Sequence, residues 1–281
     1  MRKGIVARIV LSIFAVIIIF VSVGPVFFVY WNASKSTEDY HRSKFAPPSD
    51  FSYIVDNTRT LIDKGLPRWI SNTLIVVIIS VFFSGVFCSM AGFAFAKLRL
   101  PGKRIVYALV ISLLAMPTQV FIIPIFVMFS NLNMLNNMVT LALIYTGYGF
   151  AFGTFLMTSF YRGIPTEIME SARIDGAGKL TVYLRIMVPL GKPGITTLAV
   201  LNFFGSWNEL IIALVFNHET KSRLITPGIS MFQQLARAGA RLTNWPLIYT
   251  GIVISLIIPF IVYFIFQNKI VAGITAGAVK E

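Results

Sequence analysis

Few residues in this chain could do chemistry, and their spacing argues against an enzyme. His41 and His218 stand alone on separate polar segments, with no carboxylate or cysteine at ligand spacing, so a zinc-type metal site is not expected. Cys88 is the single cysteine, lies within an apolar run and cannot pair inside the chain. The string Gly176-Ala177-Gly178-Lys179-Leu180-Thr181 has the glycines of a phosphate loop but fails it in detail. Arg173 stands where the first glycine belongs, Leu180 follows the lysine in place of Ser or Thr, and no strand pattern precedes it. No catalytic residue, cofactor or metal ligand is expected on this chain. One residue remains, Glu209, in Phe203-Phe204-Gly205-Ser206-Trp207-Asn208-Glu209-Leu210. A carboxylate near the centre of a membrane helix costs roughly 2.5 to 3.5 kcal/mol on insertion scales, and so normally faces protein or a watery path. Asn208 and Trp207 beside it offer an amide and a flat apolar face, the two surfaces that complement a sugar ring. Trp207, Asn208 and Glu209 are the candidate translocation path; a bond from Glu209 to Ser, Asn or Trp on another helix is the structural alternative.

The second candidate is the longest polar segment on the basic side of the chain, Pro165 to Gly194. Thr166 suits a helix N-cap, with Glu167 in the first turn at the positive end of the helix dipole. Gly176 and Gly178 then stop that helix. A second helical pattern follows, with Leu180, Tyr183, Leu184, Met187 and Val188 in one apolar stripe ending at Pro189. Two short helices joined by a glycine turn make a compact knob. An amphipathic helix pair lying on lipid headgroups is the alternative, but the polar face of this pair is acidic as well as basic, which anionic lipid does not favour.

Glu170-Ser171-Ala172, then Asp175-Gly176-Ala177, then Ile186 and Val188-Pro189 ten residues and more beyond the glycine, resemble the cytoplasmic EAA loop of the permeases of ABC importers. Ser171 stands where that family usually has Ala and Val188 where it usually has Leu. The resemblance implies that Glu170, Ser171, Ala172, Asp175, Gly176, Ala177, Ile186 and Pro189 belong to a coupling element. Its helix lies in a cleft of a separate cytoplasmic ATPase subunit and carries that subunit's closure to the membrane helices.

The elements that must hold these residues are apolar. The chain has 281 residues, of which 56% are hydrophobic and 12% charged, and its mean hydropathy is +0.78. That composition is a membrane protein's. The net charge of +13 is scattered over short connections and forms no patch with interleaved aromatics, so nucleic acid is not an expected partner. Six apolar runs, at about residues 9–31, 70–96, 105–129, 138–160, 195–216 and 247–266, each approach the ~20 residues that a bilayer core demands. The expected fold is all-α, with six transmembrane helices. With the N-terminus inside, the inner segments hold 14 of the 24 Lys and Arg and are the shorter set, which puts both termini and the 161–194 loop in the cytoplasm. The outer segment 32–69 mixes acids and bases around Pro47-Pro48 and reads as a solvated loop. Pro117 and Pro124 interrupt the third run; Gly149 and Gly153 in the fourth have the spacing of close helix contact. The organisation is a first helix and outer loop over 1–69, a five-helix core over 70–266, and a cytoplasmic tail over 267–281.

The resemblance narrows beyond the third helix. Trp207-Asn208-Glu209, Thr226-Pro227-Gly228 and the tail Gln267-Asn268-Lys269 through Ile274-Thr275-Ala276-Gly277-Ala278-Val279-Lys280 are similar to the carbohydrate branch of these permeases, the branch that includes the smaller permease of the maltose importer. That likeness implies a multi-pass subunit of a prokaryotic cytoplasmic membrane, importing a sugar or oligosaccharide. Its partners would be a second homologous permease, two cytoplasmic ATPases, an extracytoplasmic solute-binding protein and membrane lipid, with ATP and Mg bound on the ATPases. The alternative is a stand-alone secondary transporter using Glu209 as an ion or proton relay, although the inverted halves and paired broken helices of such folds are missing from the pattern.

Overall fold

The computed structural model describes residues 2–237 and 244–278, and every regular element among them is helical. In order these are α1 (Arg2–Ala33), α2 (Thr37–Arg42), α3 (Tyr53–Asp63), α4 (Leu66–Lys97), α5 (Lys103–Ser112), α6 (Ile122–Asn131) and α7 (Met138–Arg162). There follow α8 (Glu167–Ile174), α9 (Lys179–Val182), a π turn (Tyr183–Met187), α10 (Val188–Leu190), α11 (Lys192–Asn208), α12 (Ile211–Phe216), α13 (Ile225–Arg237) and α14 (Trp245–Ala278). The chain forms two compact units, Met1–Pro67 with Gly228–Ile257, and Arg68–Pro227 with Ile258–Glu281.

Four helical stretches are long and apolar enough to cross a bilayer: Val10–Ala33, Leu66–Lys97, Met138–Arg162 and Trp245–Asn268. Two bent pairs bring the number to six if each is one span. The third run is the first of these, bent by 100° between Lys103–Ala115 and Thr118–Asn131. Its break has a local cause: Met116 precedes Pro117 and adopts the extended backbone (φ −92°, ψ 129°) that a following proline favours. The fifth run differs from expectation at both ends. Its helix α11 is bent by 73° from the segment before it, and it stops at Asn208, because Glu209 is extended (φ −69°, ψ 124°) and α12 starts anew beyond it.

The first unit corrects the reading of residues 32–69 as a solvated loop. Lys35 is fully buried and its Nζ donates to the carbonyls of Ser43 (3.0 Å) and Lys44 (2.9 Å); burial holds its pKa below the ordinary lysine value. Trp31 Nε1 donates to Ala46 O (2.9 Å), and the Asn57 amide donates to Ala33 O (3.1 Å). Tyr40 is buried with its ring 6.2 Å from Trp245 and 5.7 Å from Tyr249. Side chains satisfying backbone groups hold this segment, and such bonds leave no periodic trace in sequence.

The second unit is built around α7, which packs on α11 and α4. Two buried clusters hold it. One joins Val76, Leu141, Tyr145, Ile212 and Phe216; the other joins Cys88, Met157, Tyr161, Met169, Met187 and Leu198. At Gly153 a Cβ would sit 2.5 Å from Cys88 Sγ, and at Gly92 one would sit 2.5 Å from Met157 Cβ, so only glycine permits these helix approaches. Gly147 has open space instead, and a Cβ on Gly149 would meet Asn202 only at 3.5 Å.

Candidate functional site

The polar segment after α7 folds as a knob whose first helix, α8, ends in a complete Schellman turn. Gly176, at φ +83°, occupies the left-handed position; its N–H donates to Arg173 O (3.0 Å), and the Ala177 N–H donates to Ala172 O (2.9 Å). Two carbonyls that the helix end would leave orphaned are thereby satisfied. Thr166 sits at the N-cap without capping: its hydroxyl instead lies 3.5 Å from Lys97 Nζ, which also bonds Ile164 O and so ties the loop to the end of α4. One face of α8 points inward through Met169, 1% exposed, with Ala172 and Ala177 against the same buried cluster. The other face is open. Glu170, Ser171, Asp175 and Gly176 are exposed, and Ile174 is 87% exposed. Ser171 Oγ returns to Glu167 O at 2.9 Å, so its substitution for Ala costs the helix no unpaired hydroxyl.

The expected single stripe beyond Gly178 is split. Tyr183–Met187 form a π turn, and the wider winding carries Val182, Tyr183 and Met187 inward while Leu180 and Leu184 stay exposed. Ile186 is half-buried, Pro189 is exposed within α10, and the bend to α11 falls at Gly191. Tyr183 OH donates to Ser89 Oγ on α4 (3.1 Å), and Ser89 Oγ is 2.6 Å from Tyr161 OH on α7. All three residues are buried. The knob is therefore joined to two membrane helices by a hydroxyl chain as well as by apolar packing.

Deeper in the same unit lies a cavity of about 310 Å³, lined by Tyr145, Tyr148, Asn202, Ser206 and Glu209 among others. Glu209 does three things at the break between α11 and α12. Its extended backbone ends α11, its Oε1 accepts from the Ile212 N–H (2.9 Å), capping α12, and its carbonyl accepts from Thr226 Oγ1 (2.8 Å). Asn202 Oδ1 faces Ser206 Oγ (3.0 Å) and Ser80 Oγ (3.3 Å). The hydroxyls of Tyr145 and Tyr148 and the amide nitrogen of Asn202 are buried and have no hydrogen-bond partner among the described residues.

Residues 88–275 match the family model of the binding-protein-dependent transport system inner membrane component. The chain belongs to this family. It is a multi-pass membrane permease, a transport subunit by kind. It is 31% identical over 284 residues to the diacetylchitobiose uptake system permease protein DasC of Streptomyces coelicolor, covering all of both chains. It is 29% identical over 283 residues, again covering both chains, to the probable starch degradation products transport system permease protein AmyC of Thermoanaerobacterium thermosulfurigenes. Among solved structures, a bacterial ABC transporter involved in the import of the acidic polysaccharide alginate contains a chain of the same fold, with a TM-score of 0.77, 24% identity and 95% of each chain covered. Membership supports the ATP-driven permease and lends nothing to a stand-alone ion-coupled carrier.

Within this permease, the residues singled out as a translocation path separate. Glu209 lines the cavity; Trp207 is buried and stacks on Phe203 with centroids 5.6 Å apart; Asn208 is exposed and its amide donates to Phe204 O (2.9 Å). The residues that the resemblance assigns to a coupling element stay together, Glu170 to Ala177 on α8 and its turn, Ile186 and Pro189 on the segment that follows. Sequence reasoning passed over Asn202 and Ser206, although with Glu209 they recur at i, i+4 and i+7, which marks one polar stripe on an otherwise apolar helix. Tyr145 and Tyr148 carried no such signal.

Proposed function

We propose that the chain is one of two homologous permeases in an ATP-driven importer of a sugar or oligosaccharide, and that the knob from Glu167 to Pro189 docks on a cytoplasmic ATPase. The observation that carries this reading is the two-sided build of α8: Met169 is sunk in a buried protein cluster, while Glu170, Ile174 and Asp175 stand open ahead of a glycine turn. A helix held on one face and presented on the other can be pushed as a rigid body. Lys97 and the Tyr183–Ser89–Tyr161 chain pass that push to α4 and α7. Both termini and the knob lie in the cytoplasm, as the excess of Lys and Arg on that side requires. The ATPases bind ATP and Mg, an extracytoplasmic binding protein delivers solute, and alternating access follows from closure of the ATPase pair. The sugar substrate rests on the relatives that transport diacetylchitobiose and starch degradation products.

The test is affinity purification of the tagged chain from its native membrane, followed by reconstitution. An ATPase and a second permease should co-purify, and the proteoliposomes should take up oligosaccharide only with ATP and binding protein. Uptake driven by a proton gradient in the chain alone would overturn the proposal.

A further inference from the structure

A groove at the turn between α4 and α5 serves neither the knob nor the cavity beside Glu209. Ala91 and Phe95 of α4, Lys103, Val106 and Val110 of α5 and Phe150 of α7 line it, and its volume is about 340 Å³. The two helices touch through Phe95 and Tyr107, whose rings lie 5.2 Å apart, yet the space between their stripes stays open. The neighbouring surface of α5 is apolar too, with Ile105 and Leu109 both well exposed. A helix from another subunit is too thick for this opening: at a width of about 10–12 Å with side chains, less than one turn of it would fit in 340 Å³. An acyl chain is thin enough.

Charge complementarity decides which lipid. The turn reads Lys97-Leu98-Arg99-Leu100-Pro101-Gly102-Lys103-Arg104, four cations and no acid. Lys97 is engaged by the knob through Ile164 O and Thr166 Oγ1. Lys103 donates one of its three ammonium protons to Leu98 O (2.8 Å) and has two left. Arg99 and Arg104, next in sequence to the lining residues Leu100 and Lys103, are exposed. None of these three cations has a carboxylate partner among the described residues. Arg162 lies 5.3 Å from the centroid of the Tyr107 ring, one helical turn along α5 from Lys103, and brings a further cation to the same end. Unpaired cations at the mouth of an apolar groove between membrane helices suit an anionic headgroup with its chain below.

We infer that this groove binds one anionic phospholipid, with an acyl chain between α4 and α5 and the phosphate on Arg99, Lys103 and Arg104. The site lies at the end of α4 that Lys97 ties to the knob, and it does not depend on which solute is carried.

Native mass spectrometry tests this on the chain purified by affinity tag with the subunits that accompany it, from micelles holding equal amounts of phosphatidylglycerol and phosphatidylcholine of one chain length. Phosphatidylglycerol should be retained in preference, and excess inorganic phosphate should not displace it, because the groove holds the chain. Arg99→Gln, Lys103→Gln and Arg104→Gln should each cut that preference roughly fivefold. The Gln at 103 keeps a donor for Leu98 O, and the two arginines are exposed, so folding is preserved. Val106→Trp, which fills the groove and leaves every cation in place, should also lose the retained lipid. Equal retention of the two lipids by wild type would overturn the site, as would wild-type preference in the triple Gln variant. Loss in the Gln variants without loss in Val106→Trp would show a surface charge effect and overturn the groove. Displacement by phosphate alone, or a Val106→Cys crosslink to a second permease with no lipid retained, would overturn the lipid as occupant.

Discussion

Tyr183 donates its hydroxyl proton to Ser89 Oγ at 3.1 Å across 94 residues of chain, joining the knob's π turn to the last third of the membrane helix α4. Tyr161 meets the same oxygen at 2.6 Å, so Ser89 is the hub of a buried three-hydroxyl chain that ties the π turn to α4 and α7.

The variants of this chain should rank by what they leave unpaired. Tyr183→Phe removes one bond and leaves Ser89 with Tyr161, at a cost of about 1 kcal/mol; Ser89→Ala strands two buried hydroxyls, at about 1–3 kcal/mol each. Solute-stimulated ATP hydrolysis in the reconstituted complex should fall further in Ser89→Ala than in Tyr183→Phe. Equal stimulation in both variants and wild type would show the chain to be packing alone.

Gly176→Val is expected to disturb coupling without disturbing insertion. A β-branched residue at φ +83° strains the backbone by roughly 1–3 kcal/mol, and the turn can relieve it only by giving up the bonds to Arg173 and Ala172. No atom stands within 4 Å of where the new Cβ would lie, so the effect is conformational and not a clash. Stimulated hydrolysis should drop while the yield of membrane-inserted protein stays at the wild-type level.

The extramembrane segment should carry an acid-sensitive bond. Asp39 accepts from the Ser49 hydroxyl and from the Ser49 N–H (3.3 Å), and chiefly the hydroxyl bond holds its carboxyl below the ordinary aspartate value. A depressed folded-state pKa stabilises above the unfolded value and is lost as pH falls through the folded one. Protection from hydrogen exchange over residues 36–49, taken relative to the intrinsic rate at each pH, should therefore be flat at neutral pH and decline only as pH falls through the ordinary aspartate value and below. Asp39→Asn should be less protected at neutral pH and lose most of that pH dependence.

The all-α membrane fold, the apolar runs and the turn at Gly176 were legible because each rests on local chemistry: run length, glycine and proline placement, and the spacing of Glu170 to Pro189. Gly153 was legible in the same way. What escaped depends on partners far apart in sequence. Ser89 pairs with Tyr161 and Tyr183 at separations of 72 and 94 residues, and nothing near Ser89 announces either. The π turn was hidden because a winding change reassigns Leu180 and Leu184 from core to surface without altering their identity. Tyr145 and Tyr148 read as ordinary members of an apolar helix, since hydropathy cannot separate a face toward lipid from one toward a cavity. The tail that the sequence assigns to 267–281 has its side chains from 269 onward outside the described residues.

Docking of the knob on an ATPase is tested most directly by cysteine crosslinking from Ile174, 87% exposed at the end of α8, in a chain whose native Cys88 is buried. In Ile174→Cys complexes, the account predicts a crosslinked species containing this chain and the ATPase, whose yield changes with nucleotide. Crosslinks confined to lipid or to the permeases, with no ATPase adduct in any nucleotide state, would contradict it.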